Sequence, residues 1–198
     1  MRVAALYDIH GNLAALDAVL AVADADEIVI GGDIVLGGAS RDTLDRVMAL
    51  GPNVHVIRGN CDRLVVEAFD GRPGPSRLPS AVQDSIVATA KQLDQRHRDY
   101  LASLPETLVL HSVHFCHATP RDDDEIFAAD TPADIVRLMF SGVTQPLAVC
   151  GHTHVQFDRV VDRLRIVNAG SVGMPLGPAG AYWLLLDPDV HPMRTDVR

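Results

Sequence analysis

The stretch "RVAALYDIHGN", residues 2–12, decides the fold. An apolar run from Val3 to Tyr7 ends in the carboxylate of Asp8, and a polar turn with His10, Gly11 and Asn12 follows. Leu13, Leu16, Val19 and Leu20 then recur at helical spacing. The order reads as strand, loop, helix. Asn12 is placed to cap the helix, because its side chain can accept a hydrogen bond from an orphan amide of the first turn. "EIVIGGD" at 27–33 repeats the design and leads into a helix-like stretch from Arg41 to Leu50, and "VHVIRGN" at 54–60 is a third copy. Three such strands joined by helices predict a largely parallel α/β sheet whose strand ends carry the polar chemistry.

Further along, "DGRPGPSRLP" at 70–79 is dense in Gly and Pro and reads as irregular loop. Ser80 and Gln83 fit a capping box, and Val82, Ile86, Ala90, Leu93, His97, Tyr100, Leu101 and Leu104 predict one helix running to Pro105. "TLVLHSVHFCHA" at 107–118 reads as two strands about a tight turn, followed by a helix from Pro132 to Phe140 capped by Thr131. "LAVCGHTH", "VQFDRVV", "LRIVNAG" and "AYWLLLD" are successive short strands, with Asp162 and Arg163 at a hairpin turn. Helices and strands alternate early; strands cluster late.

The 198-residue length fits one domain, with residues of about 70–105 as a helical insertion that caps a pocket, mediates association of like chains, or simply packs. With 47% hydrophobic and 22% charged residues, the chain has enough apolar material to bury a core. No apolar run spans a bilayer and the start lacks a secretory pattern, so the expected location is the cytoplasm, with no membrane partner. Cys61, Cys116 and Cys150 form no CxxC pair and are expected to be reduced, the latter two as small buried hydrophobes in strands. A net charge of −9 opposes broad binding to nucleic acid, and leaves an anionic substrate in need of local positive charge that bound metal cations could supply.

The polar residues at strand ends are Asp8 and His10, Asp33, Asn60, His117, then His152 and His154. Imidazole with carboxylate and amide oxygen suits divalent ions such as Mn, Fe, Zn or Ni. Any one of these residues alone is commonplace. The ordered set "DIHGN", "GGD", "RGN", "CHATP", "GHTH", with an apolar strand before nearly every member, is far harder to produce by accident. His111 and His114 are read as strand or turn residues, and His55, His97 and His191 have no motif around them. Arg58 and Arg63 flank the third motif as solvated residues or phosphate contacts, and the acidic run Asp122 to Glu125 reads as a solvated loop.

In these motifs, and in "NAGSVG" at 168–173, the sequence resembles the calcineurin-like metallophosphoesterase superfamily, in particular its small bacterial members. The resemblance implies a four-layer α-β-β-α sandwich of two mixed sheets. It also implies a site for two divalent metal ions, whether Mn, Fe, Zn, Ni or Mg. One would be held by Asp8, His10, Asp33 and His154; the other by Asp33, Asn60, His117 and His152, with Asp33 bridging. His117 is preferred to its neighbours because "HATP" matches the small-residue run that follows the family's histidine. Two such ions about 4 Å apart can share a hydroxide that attacks a phosphoester at neutral pH. Asp33, Asn60, His117 and His152 are the expected catalytic set, and a small phosphoester is the expected substrate.

One position departs from the pattern. Many relatives read Gly-Asn-His-Asp or Gly-Asn-His-Glu where this chain has "GNCD", and their histidine is thought to protonate the leaving oxygen. A thiol, with an ordinary value of about 8.5 and no second nitrogen for Asp62 to orient, is poorly matched to that work. The expectation is therefore a metal-dependent phosphodiesterase, slow on alkyl monoesters. A phosphomonoesterase, or a phosphatase of phosphoproteins or dinucleoside polyphosphates, is the alternative enzyme. A protein-binding scaffold of the same fold, as in retromer, is the alternative from another class.

Overall fold

The computed structural model describes residues 1–72, 74–75 and 77–197, so Pro73 and Ser76 of the expected Pro/Gly loop lie outside the described residues. Among the described residues ten strands and six helices run in the order β1 Val3–Leu6, α1 Leu13–Leu20, β2 Glu27–Ile30, α2 Ser40–Met48, β3 Val54–Val56, α3 Asn60–Phe69, α4 Ser80–Ala90, α5 Gln95–Ser103, β4 Thr107–Leu110, β5 Val113–Cys116, α6 Ala133–Met139, β6 Leu147–Cys150, β7 Phe157–Val161, β8 Leu164–Asn168, β9 Ala181–Asp187 and β10 Asp189–Thr195. They form two mixed five-stranded sheets, ordered β10-β9-β1-β2-β3 and β4-β5-β6-β8-β7. In the first, β1, β2 and β3 are parallel and β9 runs against β1; in the second, β5, β6 and β8 are parallel and β4 and β7 are antiparallel edges.

Period-two alternation builds the layers. Val3, Ala5 and Tyr7 turn inward with Phe115, Val149 and Val167 to fill the space between the sheets. Ala4 and Leu6 turn outward against α1, α2, α3 and the α4–α5 pair. On the far side Cys116, Ala148 and Cys150 join Val136 and Met139 of α6 and Phe140 just after it. The result is the expected α-β-β-α sandwich. The Tyr7 hydroxyl, buried between the layers, donates across the sandwich to the Val149 carbonyl at 3.0 Å.

Several local expectations are met. Asn12 Oδ1 accepts from Ala15 N at 3.1 Å and caps α1. His111 and Ser112, both with positive φ (47° and 67°), make the tight turn between β4 and β5. Others are corrected. The helix expected from Ser80 to Pro105 is two helices, because Asp94 starts a new one: its carboxylate accepts from His97 N at 3.3 Å while its own amide donates to His97 Nδ1 at 3.2 Å. Ser80 is the first helical residue of α4 rather than its cap, and Gln83 donates to the Leu78 carbonyl at 2.8 Å. Thr131 does not cap α6; its hydroxyl accepts from Ala128 N at 2.9 Å, two residues before the helix begins. Among the described residues no helix is long and apolar enough to cross a membrane.

Because Phe115 seals the two sheets together at 1% exposure, Phe115→Ala is expected to destabilise the fold by about 3–5 kcal/mol in urea unfolding. Val160→Ala, on an exposed face of β7, is expected to change stability by no more than about 0.5 kcal/mol.

Candidate metal centre

The ends of β1, β2, β3, β5 and β6 converge at one rim of the sandwich. There the chain places Asp8 and His10 after β1, Asp33 after β2, Asn60 at the start of α3, His117 after β5, and His152 and His154 after β6. All seven sequence-predicted residues come together. Five of them are buried, and the side chains of His152 and His154 are only 12% and 14% exposed. His10 Nε2 and His154 Nε2 face each other at 3.0 Å. Asp8 Oδ1 lies 3.3 Å from His154 Nε2 and 3.8 Å from His10 Nε2. Asp33 Oδ2 stands between two imidazoles, 3.7 Å from His10 Nε2 and 3.4 Å from His117 Nε2. Asn60 Oδ1 is 3.0 Å from His117 Nε2, and the rings of His117 and His152 lie edge to face with centroids 5.2 Å apart.

Two groupings of ligand atoms fall out of this geometry: Asp8, His10 and His154, and Asp33, His117 and His152. A third, His10, Asp33 and Cys61, brings the thiol within reach of the same place. The residues fit a bound cation on a specific observation. Asp8 Oδ1 is fully buried, has no hydrogen-bond donor, and points among three imidazoles; a buried carboxylate oxygen left so is costly unless a cation meets it.

Backbone conformation aims these side chains. Asp8, His10, Asp33, His152 and His154 all have φ between 48° and 66°. His152 and His154 each leave a left-handed turn beyond β6. Hydrogen bonds hold the turns. Asp8 O accepts from Gly173 N and from Ser171 Oγ, at 3.0 and 2.8 Å, and His152 N donates to Asp8 Oδ2 at 2.8 Å. Asn168 donates to the Gly151 carbonyl at 2.6 Å, so the "NAGSVG" loop braces both the first and the last motif. A Cβ on Gly151 would sit 2.5 Å from Asp8 Oδ2, and one on Gly59 would overlap Asp33 Oδ1.

The acceptors that orient the rings carry no sequence signature. His117 Nδ1 bonds the Gly31 carbonyl at 2.8 Å and His154 Nδ1 the Met174 carbonyl at 2.7 Å, which leaves Nε2 of each ring facing the centre. His152 Nε2 faces Asp124 at 4.0 Å. The acidic run is thus not a solvated loop: Arg63 grips Asp123 with two bonds of 2.7 and 2.8 Å, Arg77 pairs with Asp124, and Arg121 with Glu125. Arg58 pairs with Glu106 at 2.7 Å. His55 and His111 both pair with Glu27 at the opposite end of the first sheet, away from the centre.

Position 61 is filled by a buried thiol. Burial, then the Asp33 charge, pushes it well above the ordinary range, so it is protonated at neutral pH. Its backbone amide donates to Asp33 Oδ1 at 2.8 Å. Asp62 turns away from it: one oxygen accepts from Ile34 N and Val35 N, at 3.0 and 3.2 Å, and the other from Gly59 N at 3.1 Å.

These features define a class: a buried carboxylate and imidazole centre at the rim of a two-sheet sandwich, with groups of residues that could hold a metal ion. The model of the calcineurin-like phosphoesterase superfamily domain matches residues 1–190, and the chain belongs to that superfamily. Solved structures agree on the fold. A metallophosphoesterase from Sphaerobacter thermophilus is 29% identical with a TM-score of 0.82, covering 100% of this chain and 89% of its own. A hypothetical protein from Pyrococcus horikoshii is 23% identical with a TM-score of 0.87, covering 100% and 88%. A novel archaeal phosphodiesterase is 13% identical with a TM-score of 0.55, covering 98% and 99%. Comparison with curated proteins gives no match.

The buried charges predict a pH dependence. Burial works to lower His117, but the Asp33 and Asp8 carboxylates overcome it and raise the imidazole from 6.5 to about 10. Burial and the Asp33 charge raise Asp62 from 3.8 to about 7. A group held above its unfolded value lends stability that is complete below that value and is lost as pH climbs through the folded one. In the metal-free protein the Asp62 contribution to thermal stability is therefore expected to be lost between about pH 4 and 7, and the His117 contribution between about pH 6.5 and 10. The gain in Tm on adding manganese is expected to grow over the latter range, because a cation at the centre replaces the His117 proton. Calorimetry with and without chelator checks both; a metal-induced gain that is flat with pH would contradict the assignment of His117.

Proposed function

We propose that the chain, as one domain, is a binuclear-metal-dependent phosphoesterase acting on small phosphodiesters. The observation that carries the reading is the position of Asp33, whose Oδ2 lies within 3.7 Å of an imidazole from each half of the centre. Asp8, His10 and His154 would complete one site around it, and Asn60, His117 and His152 the other. When bound there, two divalent cations, whether Mn, Fe, Zn, Ni or Mg, supply Lewis-acid charge and a water acidic enough to attack phosphorus.

The chain's own residues position the ligands and set the leaving groups the centre can release. Asp33 is held for bridging by the Cys61 amide on its Oδ1, which leaves Oδ2 free. Gly31 and Met174 fix His117 and His154 in the tautomer whose Nε2 can ligate. At position 61 a protonated thiol stands where an imidazole would assist departure, and both oxygens of Asp62 are spent on backbone amides. Leaving groups acidic enough to depart with weak assistance, such as aryl alcohols, are therefore favoured over alkoxides.

A panel of paired mono- and diesters, assayed with Mn, Ni, Zn and Mg in turn, tests the substrate class; preference for alkyl monoesters would overturn it. Asp33→Asn is expected to lose bound metal by mass spectrometry and at least about a hundredfold in turnover. Unchanged metal content with no turnover in either protein would favour the protein-binding scaffold.

A further inference from the structure

Beside His10 lies a groove of about 670 Å³ that the centre itself does not use. It is lined by four glycines, Gly11, Gly37, Gly38 and Gly173, and by the apolar residues Leu13, Ala14 and Met174. The carboxylate on its rim, Asp17, is committed to Arg46 at 2.9 Å. The groove is continuous with the centre through two residues: His10, whose Nε2 faces His154, and Met174, whose carbonyl holds the His154 ring. Met174 remains 49% exposed, so its thioether is available to a ligand.

On the opposite side the surroundings are unlike this. A second cavity of about 640 Å³ is lined by Arg63, Arg77, Arg121 and the acidic run, and reaches the centre where Asp124 faces His152. A phosphodiester has two organic arms and a monoester one. A centre flanked by two cavities, one apolar and one charged, has room for two arms of unlike chemistry.

Resting on the phosphodiesterase reading, we propose that the groove walled by Leu13, Ala14 and Met174 is the subsite for an uncharged apolar or aromatic ester arm of the substrate. Its lining is mostly glycine and apolar side chain, and its one carboxylate is paired with Arg46, so no free charge in it opposes an apolar group. The charged cavity takes the other arm.

The test fills the groove without touching the centre. A Cβ at Gly38 meets nothing within 4 Å, and its φ is not in the left-handed region, so Gly38→Leu adds bulk to open space. Ala14→Phe, from an exposed position on α1, does the same from the other wall. Titration calorimetry of the manganese-loaded protein with diphenylphosphinate and dimethylphosphinate compares two monoanions that differ only in their arms and have no ester bond to cleave. Wild type is expected to bind the diphenyl anion at least tenfold more tightly. Each variant is expected to bring the two within twofold of each other while leaving dimethylphosphinate unchanged. Equal affinities in wild type, or variants that bind diphenylphosphinate as wild type does, would overturn the subsite alone. Failure of wild type to take up any of Mn, Fe, Zn, Ni or Mg would overturn the metal-centre reading and the subsite with it.

Discussion

Three carboxylates buried in one corner of a protein set the terms for everything around them. Asp8, Asp33 and Asp62 are each no more than 2% exposed, and all sit where strand ends meet. An unpaired buried carboxylate costs several kcal/mol, and neighbours of like sign add to it. The structure answers each differently. Asp62 is given three backbone amides, Asp33 a backbone amide and two imidazoles, and Asp8 a backbone amide on one oxygen and only imidazole edges near the other. The least satisfied oxygen, Asp8 Oδ1, is the one turned toward the most metal-ligating side chains. The convergence of strands from both sheets supplies those side chains, because no single sheet edge could surround the spot.

Convergence carries its own cost. A non-glycine residue in the left-handed region costs roughly 1–2 kcal/mol, and five of the converging residues are so placed. The total is on the order of a domain's whole stability, so the turns persist only where their surroundings leave no alternative. Here those surroundings are main chain. His10 N donates to Asp33 O and Gly11 N to Ile34 O, so the turns after β1 and β2 hold one another, and the loop at 170–173 clamps Asp8 O from the other side. Strain at the rim is thus shared between the two sheets, and Tyr7 joins them one residue before Asp8.

The same arrangement explains what could be read in the sequence. Asp8, Asp33, Asn60, His117, His152 and His154 were legible because each follows a run of apolar residues that must be a strand, and a polar residue at a strand's exit stands out. The four layers were implied by the resemblance to the metallophosphoesterases, with which early alternation of strands and helices and late clustering of strands agree. What acts through main chain was not: the carbonyls of Gly31 and Met174 orient imidazoles, yet any residue has a carbonyl. The acidic run looked like a solvated loop because its partners, Arg63 and Arg77, are about fifty to sixty residues away. Strand β10 was hidden by Pro192, which a sheet tolerates at an edge, and β10 is an edge of the first sheet. The break between α4 and α5 was hidden because Leu93 and His97 keep helical spacing on either side of Asp94, both buried in the same layer of the protein.

Position 61 separates two duties that sequence alone runs together. Its amide nitrogen holds Asp33 Oδ1, a duty any residue but proline can fill, while its buried thiol accepts from Asn60 Nδ2 at 3.8 Å. Asp62, its neighbour, has a structural duty as well, tying the start of α3 to the turn after β2, and its oxygens are fully engaged there. The thiol, by contrast, lies inside the centre: it accepts from the Asn60 amide and stands close to Asp33 and His10, so a larger side chain at 61 would have to make room among them.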